Sequence, residues 1–216
     1  MSKYPRTYHL PWSPGATSDD KISKSTNNLI GIDIVITEKI DGSNTSMVNN
    51  GVYARSHAEF TTSPWSLKVR QLHSIIGQSL PEMDYFLFGE NMQGVHSIEY
   101  TKLTSPFYLF AIREKMKWSS WKEVEETAFL LDIPHVPVLF KGIVNDKTEL
   151  ETMIDRFMKN GSKLGNYIEG VVVRTQDGFT DDDFSKKVQK FVRKDHVQTD
   201  EHWTKNWKNA KINQTY

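Results

Sequence analysis

The stretch from Ile30 to Gly42 constrains the fold more than any other. Ile30, Ile32, Ile34 and Ile36 alternate with other side chains, which is the period of a β-strand. The run leads directly into Glu38-Lys39-Ile40-Asp41-Gly42. A tight Asp-Gly turn at the end of an apolar strand would hold the lysine at the rim of a sheet, partly desolvated. Partial burial and nearby cations lower a lysine's pKa and make it a usable nucleophile. The pattern Lys-x-Asp-Gly arises by chance in roughly one chain in twenty of this length, so its meaning depends on its surroundings.

Those surroundings read as strands with helices inserted between them. After Asp41-Gly42 a short strand is expected at Thr45–Val48. A hairpin follows at Asn49-Asn50-Gly51, then a return strand at Val52–Ser56, so the start reads as a β-meander. Ser63-Pro64 opens a helix with Trp65, Val69, Leu72 and Ile76 on one face. Tyr85–Phe88, Pro106–Ile112, Pro137–Lys141, Ile168–Arg174 and Lys187–Arg193 read as further strands. Ser120-Trp121-Lys122-Glu123 fits a capping box, and a third helix starts at Asp146 and stops at Asn160-Gly161. Without regular βαβ alternation the expected class is α+β. Residues 1–28 are rich in turn formers and read as an irregular lead-in to a single domain over 1–216.

Composition excludes several classes. No apolar run reaches the length of a membrane helix, and Met1–Leu10 lacks the hydrophobic segment of a secretion signal, so the cytoplasm is expected. The chain has no cysteine, which removes disulfides, thiolate metal sites and a cysteine nucleophile. Lys plus Arg and Asp plus Glu are both 27, which disfavours a protein that coats nucleic acid through its overall field. Charge is nevertheless concentrated at the end: from Ser185 to Tyr216 eight basic residues face three acidic ones. The sequence lacks a P-loop, a GxGxxG, an HExxH and a GxSxG.

Five further motifs follow Lys39 in order. They are Tyr53-Ala54-Arg55-Ser56, Leu87-Phe88-Gly89-Glu90, Phe107-Tyr108-Leu109-Phe110, Glu169-Gly170-Val171-Val172-Val173-Arg174 and the basic stretch Lys187–Lys194. With Lys39-Ile40-Asp41-Gly42 they resemble the motif series of the covalent nucleotidyltransferase superfamily, in particular ATP-dependent RNA ligases of the RNA ligase 2 type. The resemblance spans residues 38 to 194. It implies an antiparallel β-rich, ATP-grasp-like adenylyltransferase domain. Only some 22 residues follow Lys194, too few for an oligonucleotide-binding barrel. The lead-in Tyr4–Pro11 and the tail His196–Trp203 also resemble segments of small ligases of this type.

The resemblance implies roles residue by residue. Lys39 carries AMP, within a motif completed by Asp41 and Gly42. Glu90 holds the ribose, Phe110 stacks on the purine, and Glu169 serves a divalent metal, magnesium or manganese. Glu38 accepts from the purine amine, and Asn44 orients a phosphate or a ribose hydroxyl. Arg55 and Arg174 offer guanidinium forks to phosphate. The last motif departs from the family's Lys-x-Lys. Lys190 fits as its first lysine, and either Arg193 or Lys187 would supply the second. The implied activity joins RNA 5′-phosphate and 3′-hydroxyl ends, whether at a break or at a nick in a duplex or an RNA/DNA hybrid, with ATP as substrate and no membrane partner. A DNA nick ligase, a capping-type guanylyltransferase and a non-catalytic binder of nucleotides or nucleic-acid ends are the alternatives.

Overall fold

The computed structural model describes residues 3–55, 59–194 and 207–213. In chain order the main elements are β1 (Tyr8–His9), β2 (Asp33–Lys39), β3 (Ser43–Val48), β4 (Gly51–Ala54), α1 (Leu67–Ile76), β5 (Tyr85–Asn91) and β6 (Phe107–Glu114). Then come β7 (Lys117–Trp118), α2 (Trp121–Leu130), β8 (Val138–Ile143), α3 (Lys147–Asn160), β9 (Gly170–Thr175), β10 (Phe179–Thr180), α4 (Phe184–Lys187) and β11 (Val188–Val192). They form two sheets, ordered β1-β11-β9-β2-β8 and β10-β7-β6-β5-β3-β4. Among the described strands all pairings are antiparallel except β1 on β11. This is the expected α+β class, and the described residues contain no separate five-stranded barrel.

β2 lies inside its sheet, and Ile34 to Glu38 are all buried. Ile34 and Ile36 pack with Leu150 and Ile154 of α3, with Val171 and Val173 of β9 and with Phe191 of β11. Val35 joins a separate core with Met47, Leu87, Phe107 and Trp121. Both faces of the strand are therefore covered, whereas Ile30 and Ile32, the first two of the isoleucine series, precede its start at Asp33, and Ile32 is 36% exposed. The capping box at Ser120 forms as expected, with Ser120 Oγ accepting from Glu123 N–H and the Glu123 carboxylate accepting from Ser120 N–H. Asp146 caps α3, and Gly161 ends it at φ +75°, the left-handed region that favours glycine.

Four expectations are corrected. The opening strands do not form a meander: β2 pairs with β8 and β9, whereas β3 pairs with β4 and β5. Asp41-Gly42 is thus a crossover between sheets. Ser97 and Ile98 donate their N–H groups to Asp41 Oδ2 at 2.8 and 3.0 Å, and Tyr100 Oη accepts from Asp41 N–H at 2.9 Å, which holds the crossover in place. Gly42 is needed there because a Cβ would lie 2.6 Å from Met92 Sδ and 2.7 Å from Asn91 O. Ser63 makes no side-chain cap; Pro64–Ser66 is a 3₁₀ turn that leads into α1. The lead-in is not wholly irregular, since β1 adds to the edge of the first sheet, and the two-residue strands β7 and β10 were too short to show any period. Ser56 and the segment His196–Trp203 lie outside the described residues. Within the basic tail, Asn209 and Ile212 bridge to Gly94 and Leu103.

Gly170 begins β9 against the β11 backbone, and a Cβ there would collide with the carbonyl oxygen of Phe191. Forced overpacking of this kind costs about 1–3 kcal/mol. Gly170→Ala should therefore lower the thermal unfolding midpoint, and an unchanged midpoint would show that β11 yields without strain.

Candidate active site

Strand parity sorts the side chains. On β9, Val171 and Val173 enter the core beneath α3, so Val172 and Arg174 take the opposite face. On β11, Phe191 faces that core while Val188 and Lys190 face away. On β2, Ile34 and Ile36 face it and Thr37 and Lys39 do not. The away-facing side chains line a cavity of about 690 Å³, within the usual range of ligand pockets. Its other wall comes from the second sheet through Gly42, Asn44, Arg55, Glu90 and Phe110. Asn44 and Glu90 are directly paired across β3 and β5.

Lys39 lines this cavity. Its Nζ donates to both carboxylate oxygens of Glu169 at 2.7 Å. The register explains the pair: Lys39 is the last residue of β2 and lies opposite Gly170, so Glu169 stands one residue beyond the end of the ladder. Burial acts to lower the lysine pKa, but Glu169, Glu90 and Asp41 outweigh it and hold the amine above its ordinary value. The expectation of a lowered pKa is corrected, because the cavity surrounds Lys39 with carboxylates rather than cations. Burial also pushes the Glu90 carboxyl up to about 8, against the opposing effect of Lys39.

The remaining expected residues fall into two groups. Phe110 lines the cavity, whereas Phe107, three residues earlier on β6, is fully buried in the core. Arg55 is exposed at the cavity and Asn44 half-buried. Lys190 lines the cavity, and burial holds its pKa below the ordinary lysine value. Glu38 borders the cavity, but its carboxylate already accepts from Ser162 Oγ and from Lys163 N–H. Arg174 is 4% exposed and donates to the carbonyls of Ser119 (2.6 Å) and Thr175 (3.2 Å), with its guanidinium over the Trp121 and Phe179 rings. Burial lowers its pKa to about 10. Lys187, on α4, and Arg193, whose guanidinium lies over Tyr167, are not among the cavity's lining residues.

Sequence reasoning missed the part played by the lead-in. Residues Lys3–Thr7, Asp19 and Asp20 line the cavity. Tyr4 inserts among Phe88, Phe110, Trp118 and Phe184, with ring centroids 5.0–5.4 Å away. Turn-forming composition carries no signal for such an insertion, and the resemblance of Tyr4–Pro11 to small ligases came with no chemical role. Ser162, which bonds Glu38, was equally hidden because it follows α3, far away in sequence.

Among the described residues no group of three or more His, Asp or Glu side chains is arranged to hold a metal by itself. The donors present still suit magnesium or manganese. Glu90 lines the cavity and Glu169 adjoins it through Lys39, and a hard cation of this kind commonly takes one or two carboxylates together with substrate phosphates and water.

The two-sheet α+β architecture matches the nucleotidyltransferase domain of RNA and DNA ligases. The RNA ligase family model matches residues 32–192, and the chain belongs to that family. No curated protein sequence matches it. Among solved structures, an archaeal ATP-dependent RNA ligase is similar at a TM-score of 0.61 and 14% identity, covering 89% of this chain and 48% of that one. A Naegleria gruberi RNA ligase bound to ATP and Mn matches at 0.58 and 20%, covering 89% and 60%. A putative ATP-dependent DNA ligase from Aquifex aeolicus matches at 0.57 and 18%, covering 89% and 50%. The chain therefore spans about half the length of the solved ligases it resembles. No helix among the described residues is long and apolar enough to cross a membrane.

The lead-in carries a testable pH dependence. His9 is 1% exposed, with Nδ1 2.8 Å from Ser13 Oγ and Nε2 3.4 Å from Asp20 Oδ1. Burial, helped by Lys190, lowers its pKa from 6.5 to about 4. The unfolded chain then binds more protons between those values, so this contribution to stability is complete above about 6.5 and is lost as pH falls to about 4. Thermal midpoints should drop across that window, and the drop should be smaller in His9→Gln. Equal slopes in the two proteins would contradict the assignment.

Proposed function

We propose that this chain is the nucleotidyltransferase unit of an ATP-dependent RNA ligase, acting over residues 1–216 through a lysyl-AMP intermediate. The observation that carries the reading is the position of Lys39. Its amine is held by Glu169 on the lining of a cavity that also carries an aromatic ring, Phe110, and cations at Arg55 and Lys190. A pure binder of nucleotides has no need of a nucleophile placed in this way.

In the first step the Lys39 amine attacks the α-phosphorus of ATP. A P–N bond forms, the bond to the bridging oxygen breaks, and pyrophosphate leaves. Lys39 rests as an ammonium and must first give up a proton; Glu169, whose two oxygens both accept from it, is the nearest acceptor. The AMP then passes to an RNA 5′-phosphate, which frees the lysine. Finally a 3′-hydroxyl attacks that activated phosphate, forming the phosphodiester and releasing AMP. Charge builds on phosphate oxygens in each displacement, so preorganised cations are effective. A bound divalent cation would neutralise part of that charge, with Glu169 as its main protein ligand and Glu90 beside it. Phe110 offers its ring to the purine, and Asn44 and Glu90 offer polar groups to the sugar. Glu38 can meet the purine amine only through lone pairs that Ser162 and Lys163 leave unused. Lys190 is the last-motif lysine that reaches the cavity, and Lys187 and Arg193 act at its margin or on the nucleic acid. RNA is preferred to DNA on family membership, and the Naegleria ligase's bound ATP and Mn support the choice of nucleotide and metal class.

Incubation with α-labelled ATP and magnesium should leave label on the protein through denaturing electrophoresis. As a phosphoramidate the adduct should survive alkali and be lost in acid, and Lys39→Ala should carry none. Label on the Lys39→Ala protein would overturn the choice of nucleophile. Aromatic stacking contributes about 0.5–1.5 kcal/mol beyond burial, so Phe110→Ala should weaken ATP binding up to roughly tenfold. Phe107→Ala, in the core, should instead lower stability. The reverse pattern would shift the purine contact by three residues.

A further inference from the structure

The lead-in brings a carboxylate into the cavity with a fixed orientation. Asp20 Oδ2 accepts from Thr17 N–H at 3.2 Å and from Thr17 Oγ1 at 3.0 Å. Its other oxygen, Oδ1, faces Lys190 Nζ at 3.4 Å and His9 Nε2 at 3.4 Å. The turn that carries Asp20 is fastened to the sheet. His9 donates its N–H to Lys21 O, Ser23 donates to His9 O, and Leu10 donates to Lys190 O, at 2.8, 2.8 and 2.7 Å. β1 thereby sets His9 opposite Lys190 in register. Asp20 and Lys190 are 25% and 19% exposed, so the pair is not a freely solvated surface contact.

We propose that Asp20 is a positioning residue for Lys190, aiming its ammonium at the phosphates in the cavity. The proposal rests on the ligase reading above and deepens it. An ammonium has three donors, so one can remain on Asp20 while the others meet phosphate oxygens. A lysine side chain is long and loses much rotamer freedom when it is held in one place. A carboxylate locked by Thr17 meets that cost before ATP arrives. Asp20 would also oppose an incoming triphosphate by its own charge. Its contribution should therefore show in the rate of AMP transfer and not as tighter ATP binding, whereas a mere anchor for the lead-in would show as lost stability.

The test is single-turnover AMP transfer to Lys39 over a range of ATP concentrations, with thermal unfolding in parallel. Asp20→Asn keeps the shape and the acceptor for Thr17 but loses the charge. Its maximal rate should fall about ten- to a hundredfold, as loss of one charge-assisted contact does. The ATP concentration for half-maximal rate should not rise. Asp20→Glu should recover part of the rate, and Asp20→Asn should add no further loss in the Lys190→Ala protein. Should Asp20→Asn fail to fold, Thr17→Val, which removes the hydroxyl contact to Oδ2, should show the same loss of rate in milder form. A normal maximal rate in the folded variant, or a full additional loss on top of Lys190→Ala, would overturn the proposal. If the unaltered protein forms no AMP adduct at all, the ligase reading falls and this proposal falls with it. A normal adduct in both the unaltered and the Asp20→Asn protein sinks the positioning role alone.

Discussion

The ion pair between Lys39 and Glu169 is the contact around which the molecule is arranged. It needs β2 to end at the cavity, β9 to begin there, and the two to pair in one register. Shifting either strand by a single residue would send Lys39 or Glu169 to the opposite face. The apolar series on β2 and β9 opposes such a slip, since it would turn Ile34, Ile36, Val171 or Val173 away from the core beneath α3. The chemistry of the cavity thus depends on a core that does not touch it.

The electrostatics of the cavity follow from the same arrangement. Glu169, Glu90 and Asp41 together hold the amine protonated and in place. On the proposed reading this stores the nucleophile as an ammonium, inert toward solvent, until a bound polyanion changes the charge balance around it. Crowding these carboxylates in a partly dry space has its own cost, visible in the raised pKa of Glu90. Lys39 and Arg55 oppose the rise in the Glu90 pKa, and Lys190 also lines the cavity.

Much of this was legible in the sequence, and for identifiable reasons. Apolar alternation located β2 and β9, cap and stop residues located α2 and α3, and the order of short motifs brought Lys39, Asn44, Arg55, Glu90, Phe110 and Lys190 to one cavity. Pairing partners were less legible. An Asp-Gly after a strand reads as a hairpin, and only the close approach of Met92 and the amides of Ser97 and Ile98 reveal a crossover. The lysine's protonation was misread because its neighbours come from residues 90 and 169, which local sequence does not bring near. The lead-in's contribution was invisible for a related reason. Tyr4 and Asp20 matter through contacts with β6 and β11, and turn-rich composition says nothing about what a turn packs against.

A crystal structure of the protein grown with ATP and magnesium tests the central claim most directly. The account predicts continuous density from Lys39 Nζ to the α-phosphorus, Glu169 no longer bonded by the lysine through both oxygens, and the purine against Phe110. Nucleotide bound elsewhere, with the Lys39–Glu169 pair intact, would contradict it.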